Sequence, residues 1–192
     1  MWANVSCDQL GREHVTGVIE QLFSEYGLAP RLFGVEVTER QLARRVDDVA
    51  SDLHELRELV VALAVDDFGT GYASLDYLRR VVLDQIKIDR SFVSGLQDRT
   101  NTAITSSMIT LARALDLTVV GERVETPAQF DRLRMLGCDL AQGYLLQRPL
   151  AAQERHLAQL TGSRATTRAS GGQRRRPARR RQCPPPGRRG GW

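Results

Sequence analysis

Six short apolar runs, at residues 2–6, 32–38, 61–66, 85–89, 117–122 and 139–144, each carry a polar residue in the same phase of a strand alternation. The residues are Asn4 between Ala3 and Val5, Glu36 between Val35 and Val37, and Asp66 behind Ala62 and Ala64, then Lys87 between Ile86 and Ile88, Glu122 behind Val120, and Gln142 between Ala141 and Gly143. Segments of helical period at 9–26, with Leu10, Val15, Val18, Ile19, Leu22 and Phe23 on one apolar side, and at 46–59, 75–80, 102–115, 128–136 and 151–160 separate the runs. Strand and helix in alternation give a parallel sheet with right-handed crossovers, either doubly wound or rolled into a barrel. The shared phase decides between them. Side chains two apart on a strand point the same way, and inward polar groups near the C-terminal ends of successive parallel strands are what a barrel active site requires. The expected fold is therefore α/β, an incomplete (β/α)8 TIM-type barrel of about six strand-helix units.

Size and charge divide the chain at residue 161. A closed barrel takes about 250 residues and eight strands, whereas residues 1–161 hold six. Residues 162–192 contain ten of the 27 basic residues and none of the 23 acidic ones, with Arg174, Arg175, Arg176 and Pro184, Pro185, Pro186 and almost nothing apolar. Such a composition cannot form a core, and a disordered tail is expected. The barrel domain then holds 17 basic against 23 acidic residues, a net charge of −6. With Trp192 alone for base stacking and no folded platform, the tail reads as a solvated segment, not a nucleic-acid site. Cys7, Cys138 and Cys183 are an odd number without paired spacing, which points to a reducing, cytoplasmic compartment. No apolar run approaches the roughly 18 residues of a membrane span, and no signal-peptide pattern opens the sequence.

The chemistry gathers at Asp66-Asp67-Phe68-Gly69-Thr70-Gly71. Adjacent strand residues face opposite ways, so both aspartates serve one site only if the alternation breaks there. Gly69 and Gly71 are expected to supply the break. Glu36, Asp66, Asp67 and Glu122 offer carboxylate oxygens, Asn4 and Gln142 neutral carbonyls, and no histidine or cysteine shares their phase. An all-oxygen set suits Mg²⁺ or Mn²⁺ rather than zinc. Four crowded carboxylates need cations, which two divalent ions and Lys87, the only lysine beside 26 arginines, would provide. Two hard cations form a clamp for phosphodiester hydrolysis. His14, His54 and His156 fall on helical segments and read as ordinary histidines.

Six ordered motifs carry a resemblance: Asn-Val-Ser from Asn4, Glu-Val-Thr-Glu from Glu36, Asp-Asp-Phe-Gly-Thr-Gly-Tyr from Asp66, Ile-Lys-Ile-Asp-Arg-Ser-Phe-Val from Ile86, Val-Val-Gly-Glu-Arg-Val-Glu-Thr from Val119, and Gly-Cys-Asp-Leu-Ala-Gln-Gly-Tyr from Gly137. Together, over residues 3–150, they resemble the EAL-domain phosphodiesterases. The resemblance implies a modified (β/α)8 barrel that hydrolyses cyclic di-GMP to linear pGpG with Mg²⁺ or Mn²⁺. It implies that Asn4, Glu36, Asp66, Asp67 and Glu122 are metal ligands. Lys87, Glu122 and Glu39 would form the catalytic group, Lys87 holding or activating the attacking water and Glu39 bracing the loop after Asp67. Glu125 and Gln142 would support the site and the substrate.

Two departures accompany the match. No Glu-Ala-Leu, the segment that supplies a further ligand and a phosphate-contacting arginine in the family, occurs in the sequence. Arg123 stands where the family usually has glycine. With the strand count, these features suggest the C-terminal two-thirds of a domain, inactive alone, or a non-catalytic module that binds cyclic di-GMP or a protein. Open sheet edges predict self-association, for which a homodimer is the simplest form. Limited trypsin digestion is expected to remove the residues after about Gly162 first and leave a stable core. Simultaneous loss of core and tail would count against this division.

Overall fold

In the computed structural model, which describes residues 1–12, 15–71 and 75–147 and the backbone of residues 167–168, the strands follow one another across the sheet in chain order. They are β1 (Trp2–Asn4), β2 (Gly34–Thr38), β3 (Ala62–Phe68), β4 (Gln85–Ile88), β5 (Thr118–Gly121) and β6 (Leu140–Ala141). All five pairings among them are parallel. A doubly wound sheet reverses its strand order at a switch point, whereas an unbroken order is that of a barrel wall. The intervening helices are α1 (Cys7–Arg12), α2 (Val15–Tyr26), α3 (Glu39–Glu58), α4 (Tyr77–Arg80), α5 (Arg90–Ser94), α6 (Arg99–Ala114) and α7 (Pro127–Leu136). None among the described residues is long and apolar enough to cross a membrane.

One feature differs from the expected tail. Thr167–Arg168 form a short strand, β7, antiparallel to β6 with Leu140 beside Arg168 and Ala141 beside Thr167. An unpaired row of backbone donors and acceptors on β6 offers such a segment its hydrogen bonds. The helix expected at 151–160, the rest of the tail, His14, His156 and Cys183 lie outside the described residues.

The registers hold the predicted phase. Asn4 lies beside Glu36, Glu36 beside Ala64, Ala64 beside Gln85 and Gln85 beside Thr118. Lys87 lies beside Val120, and Val120 beside Leu140. Counting by twos from these pairs puts Asn4, Glu36, Asp66, Lys87, Glu122 and Gln142 in one phase. The opposite phase, including Val35, Val37, Leu63, Val65, Ile86, Ile88 and Val119, is buried against the helices.

Helix α3 shows how the covering layer is written. Leu42, Val46, Val49, Leu53 and Leu56 recur at steps of four and three and are all buried, the spacing of one helical face. It begins at Glu39, well before the predicted 46, because its first turn is polar for a functional reason given below. Of the helix predicted at 9–26, α1 and α2 are the described parts, and residues 13 and 14 lie outside the described residues. On α2, Val15, Ile19 and Phe23 meet the core while Val18 and Leu22, assigned to the same face, are exposed. The apolar arc is wider than the stripe at i, i+4 and i+8 that the core covers.

Four helices end in the same turn. Leu28, Val61, Leu117 and Cys138 each donate a backbone N–H to the carbonyl five residues earlier, on Phe23, Leu56, Ala112 and Leu133. The residue before each donor, Gly27, Val60, Asp116 or Gly137, has a positive φ of 60°, 64°, 59° or 85°. This is the Schellman closure, in which a left-handed residue lets the chain turn back and an apolar residue follows it into the core. Glycine takes the position without strain and a β-branched residue does not. Val60→Gly, at a position 59% exposed, is therefore expected to stabilise the chain by about 0.5–1 kcal/mol, the left-handed penalty less the entropy of glycine. Urea unfolding would measure it, and a loss of stability would refute the account.

Candidate metal centre

The site starts from a fault in β3. Val65 pairs with Ile86 and Phe68 with Ile88, so three steps along β3 match two along β4. This is a β-bulge, in which an extra residue re-aims a side chain. Asp67 occupies it with φ 53°, and its N–H donates to Asp66 Oδ1 at 3.0 Å. The break that brings two adjacent aspartates to one site therefore lies at Asp67 itself and not at the glycines that follow. A short polar side chain makes aspartate one of the few residues that visit this region readily.

The glycines let the next loop close. Gly69 has φ 99°, and a Cβ there would collide with Met108 and lie 2.7 Å from Phe92. A Cβ on Gly71 would lie 2.7 Å from the Glu39 carboxyl. Glu39 Oε2 accepts the amides of Gly69 at 2.9 Å and Gly71 at 2.7 Å, and Oε1 accepts the Tyr77 hydroxyl at 3.0 Å. The Asp67 carbonyl accepts the Thr70 amide at 3.2 Å and its hydroxyl at 2.8 Å. As the first residue of α3, Glu39 explains that helix's polar start: its carboxylate holds the loop that carries the bulge. Burial, then the Glu39 carboxylate beside it, pushes the Tyr77 hydroxyl well above its ordinary pKa, so it remains a donor.

Lys87 joins the strands electrostatically. Its Nζ lies 2.6 Å from Glu122 Oε1, 2.7 Å from Glu36 Oε2 and 3.1 Å from Asp66 Oδ1, and the residue is 4% exposed. Three ammonium donors face three carboxylates. Burial works against the charged ammonium, but the bonds to Glu122 and Glu36 outweigh it and hold Lys87 above its usual pKa. Burial raises Asp67, as do the charges of Asp66 and Asp89, while Lys87 and Arg123 oppose them. Burial also raises Glu122, against Lys87, with Asp66 and Asp67 adding to the rise.

One oxygen each from Asp66, Asp67 and Glu122 can be chosen so that all three lie within 4.8 Å of one another. Acids held this close, with Asp67 and Glu122 raised, carry more negative charge than one ammonium offsets, and hard divalent cations favour such oxygen donors. The thiols of Cys7 and Cys138 take no part, since burial pushes them up to about 11 and about 12.

The remaining candidates stand further out. Asn4 is exposed on β1 beside Glu36. Gln142 is exposed just past β6, its amide donating to the Gly121 carbonyl. Glu125 is exposed, its amide donating to Gln129 Oε1 at 2.8 Å. Two residues near the site were not read from the sequence. Tyr77 has no signal beyond being aromatic in a short helical segment. Asp89 caps α5, accepting the Ser91 amide at 2.9 Å and hydroxyl at 2.5 Å. Burial alone would raise its pKa, but these bonds leave it below the usual carboxylate value. An aspartate two residues before serine at a strand end is a capping signal.

A family model for the EAL domain matches residues 3–149. The chain belongs to the EAL domain family. It is 43% identical over 157 residues to the cyclic di-GMP phosphodiesterase NbdA of Pseudomonas aeruginosa, which covers 80% of this chain and 20% of that protein, so the chain spans about a fifth of this relative's length. Among solved structures, the PaMucR phosphodiesterase in complex with c-di-GMP superposes with a TM-score of 0.76 at 37% identity, covering 80% of this chain and 63% of the other. The Klebsiella pneumoniae BlrP1 manganese/cy-diGMP complex at pH 9.0 gives 0.72 at 33%, covering 77% and 38%.

In this EAL domain the chain leaves β5 through a second strained residue, Arg123, with φ 48°. A left-handed residue with a Cβ costs about 1–2 kcal/mol. The neighbours enforce it: the Glu122 amide donates to the Ile88 carbonyl, the Val124 amide to the Gln142 carbonyl and the Leu145 amide to the Val124 carbonyl. Val124 is buried, and any Cβ on Gly143 would collide with its backbone.

Removing one partner from a buried ionic group costs about 3–5 kcal/mol, and Lys87→Met is expected to lose that much stability near neutral pH. The pH dependence follows from Asp67 and Glu122. Their folded pKa values exceed the unfolded ones, so the folded state binds more protons in the window between the two, and stability falls as pH rises through it. With the ammonium gone these acids rise further, so the Lys87→Met deficit should shrink as the pH falls from about 7 toward 5. Urea titrations across that range check the expectation, and a deficit that grows in acid would refute it.

Proposed function

We propose that this face belongs to a phosphodiesterase of the EAL type that hydrolyses cyclic di-GMP to pGpG. The carrying observation is the meeting of Asp66, Asp67 and Glu122 oxygens around a β-bulge, a donor set suited to Mg²⁺ or Mn²⁺. Glu36, Asp66, Asp67 and Glu122, with Asn4 at the open side, would hold two divalent cations. When bound, such cations supply positive charge to the phosphate oxygens and acidify a water.

The chain's own residues do the rest. Lys87 aligns Glu36, Asp66 and Glu122 through its three contacts, so that their free oxygens face the place the cations would take. Glu39 fixes the loop after Asp67, so that the left-handed bulge persists. Gln142 and Glu125 stand at the rim, where a dinucleotide would pass. The names of the relatives and their bound complexes support this reading. A second reading is a module that binds cyclic di-GMP without cleaving it.

Isothermal titration of the full chain with cyclic di-GMP and Mn²⁺, run beside product analysis, separates the two readings. Binding is expected in both, and Asp66→Asn should weaken it at least about tenfold, the scale of one lost charged contact. Joining a Glu-Ala-Leu-bearing segment to the chain should raise turnover by about 10²-fold or more, as when an electrostatic clamp is completed. Mn²⁺-dependent binding unchanged in Asp66→Asn would refute the metal centre. Cleavage that the added segment fails to raise would leave the binding module as the function.

A further inference from the structure

The left-handed residues among those described fall into two groups. Gly27, Val60, Asp116 and Gly137 close helices and feed the next strand. Asp67 near the end of β3, and Gly69, Arg123 and Gly143 past the C-terminal ends of β3, β5 and β6, lie on the side of the carboxylates. The helix-closing group has a structural account. In the second group Gly69 and Gly143 are glycines where a Cβ would collide, and Asp67 aims a ligand. Arg123 alone takes a strained backbone with a long side chain that no packing explains, since it is exposed. Strain of this kind persists where the surroundings over-determine it, and it clusters at working sites.

The electrostatics say what such a side chain meets. A phosphodiester approaching this face meets four carboxylates. Lys87 has spent its three donors on Glu36, Asp66 and Glu122 and has none left for a phosphate oxygen. Arg123 follows Glu122 directly, and its charge is felt at Asp67. Its side chain is exposed, so its planar fork is open to a ligand. A guanidinium fork matches two oxygens of a phosphate, whereas an ammonium acts as a point charge.

We propose that Arg123 is the phosphate-directed cation of this face, held at the rim by the kink between Glu122 and Val124 so that its guanidinium pairs with the non-bridging oxygens of a bound phosphodiester. The proposal rests on the cyclic di-GMP reading given above. It assigns Arg123 to substrate binding and not to competition with cations for the carboxylates.

The test uses the full 192-residue chain. Cyclic di-GMP is titrated in the presence of Ca²⁺, and Mn²⁺ is titrated separately without nucleotide. Arg123→Gln and Arg123→Gly are expected to weaken dinucleotide binding about tenfold or more, the scale of a charged hydrogen bond. Arg123→Lys should recover only part of the loss, and Mn²⁺ affinity should stay within about twofold throughout. Arg123→Gly should melt no lower than the wild type, because it removes the left-handed strain. Val60→Gly, which removes the same strain far from the carboxylates, should leave dinucleotide binding unchanged.

Wild-type dinucleotide affinity in Arg123→Gln and Arg123→Gly, with binding lost in Asp66→Asn, would overturn the role of Arg123 and leave the site reading intact. Tighter Mn²⁺ binding in Arg123→Gln without weaker dinucleotide binding would also overturn it, making Arg123 a competitor for the carboxylates. A folded wild type that binds no cyclic di-GMP would overturn both.

Discussion

A single buried ammonium ties the sheet together. Taking Lys87 out of water costs several kcal/mol, repaid only if its partners arrive with good geometry. Those partners come from β2, β3 and the end of β5, so the ion cluster forms only when four strands share one register. Slipping any of them by one residue would turn its polar side chains toward the helices and its valines or isoleucines toward the carboxylates. The interaction that prepares the chemistry therefore also penalises misregistered sheets. Apolar burial alone distinguishes registers less sharply here, because flanking residues such as Ile86 and Ile88 are interchangeable in volume.

The two ends of the sheet obey different rules. At the end where helices feed strands, the same closure recurs after four helices, and two aspartates repeat one device. Asp84 Oδ2 accepts the Leu63 amide at 2.8 Å, and Asp139 Oδ2 accepts the Val119 amide at 3.0 Å. Each aspartate immediately precedes its own strand and reaches the neighbouring strand, which starts two residues earlier in register. Asp84 adds an ion pair to Arg57 at 2.5 Å. At the opposite end there is a bulge, a left-handed arginine, a loop held by one buried glutamate, and acids with raised pKa values. Regular capping at one end supplies the stability against which strain at the other is held.

This division explains what could be read from the sequence. The strand order and the phase of Glu36, Lys87 and Gln142 were legible because β-structure has a strict period of two and the opposite phase is uniformly apolar. The gathering of Asp66, Asp67 and Glu122 followed from that phase plus one break. The position of the break was not legible. Glycine marks permissive backbone, and two glycines lay close by, but the pairing with β4 puts the extra residue at Asp67. Tyr77 was missed because its role depends on Glu39 lying across the loop, a tertiary contact with no periodic signature. The exposed Val18 and Leu22 were misread because periodicity finds an apolar arc without saying how much of it has a partner.

The bulge also accounts for where the acids come from. On a regular strand Asp66 and Asp67 would lie on opposite faces, one near Lys87 and the other buried among the helices without a counterion. The left-handed turn at Asp67 exchanges that buried charge for a modest backbone strain. It also places a second carboxylate against the first, and burial plus the Asp66 charge lift the Asp67 pKa. Like charges held together on rigid strand ends cannot relax apart when a cation is absent, so the repulsion stays available to be relieved by one. A loop carrying the same acids would disperse that energy by moving. The stiffness supplied by Glu39, which ties Gly69 and Gly71 to the first turn of α3, is therefore part of the electrostatics of the site as well as of its shape.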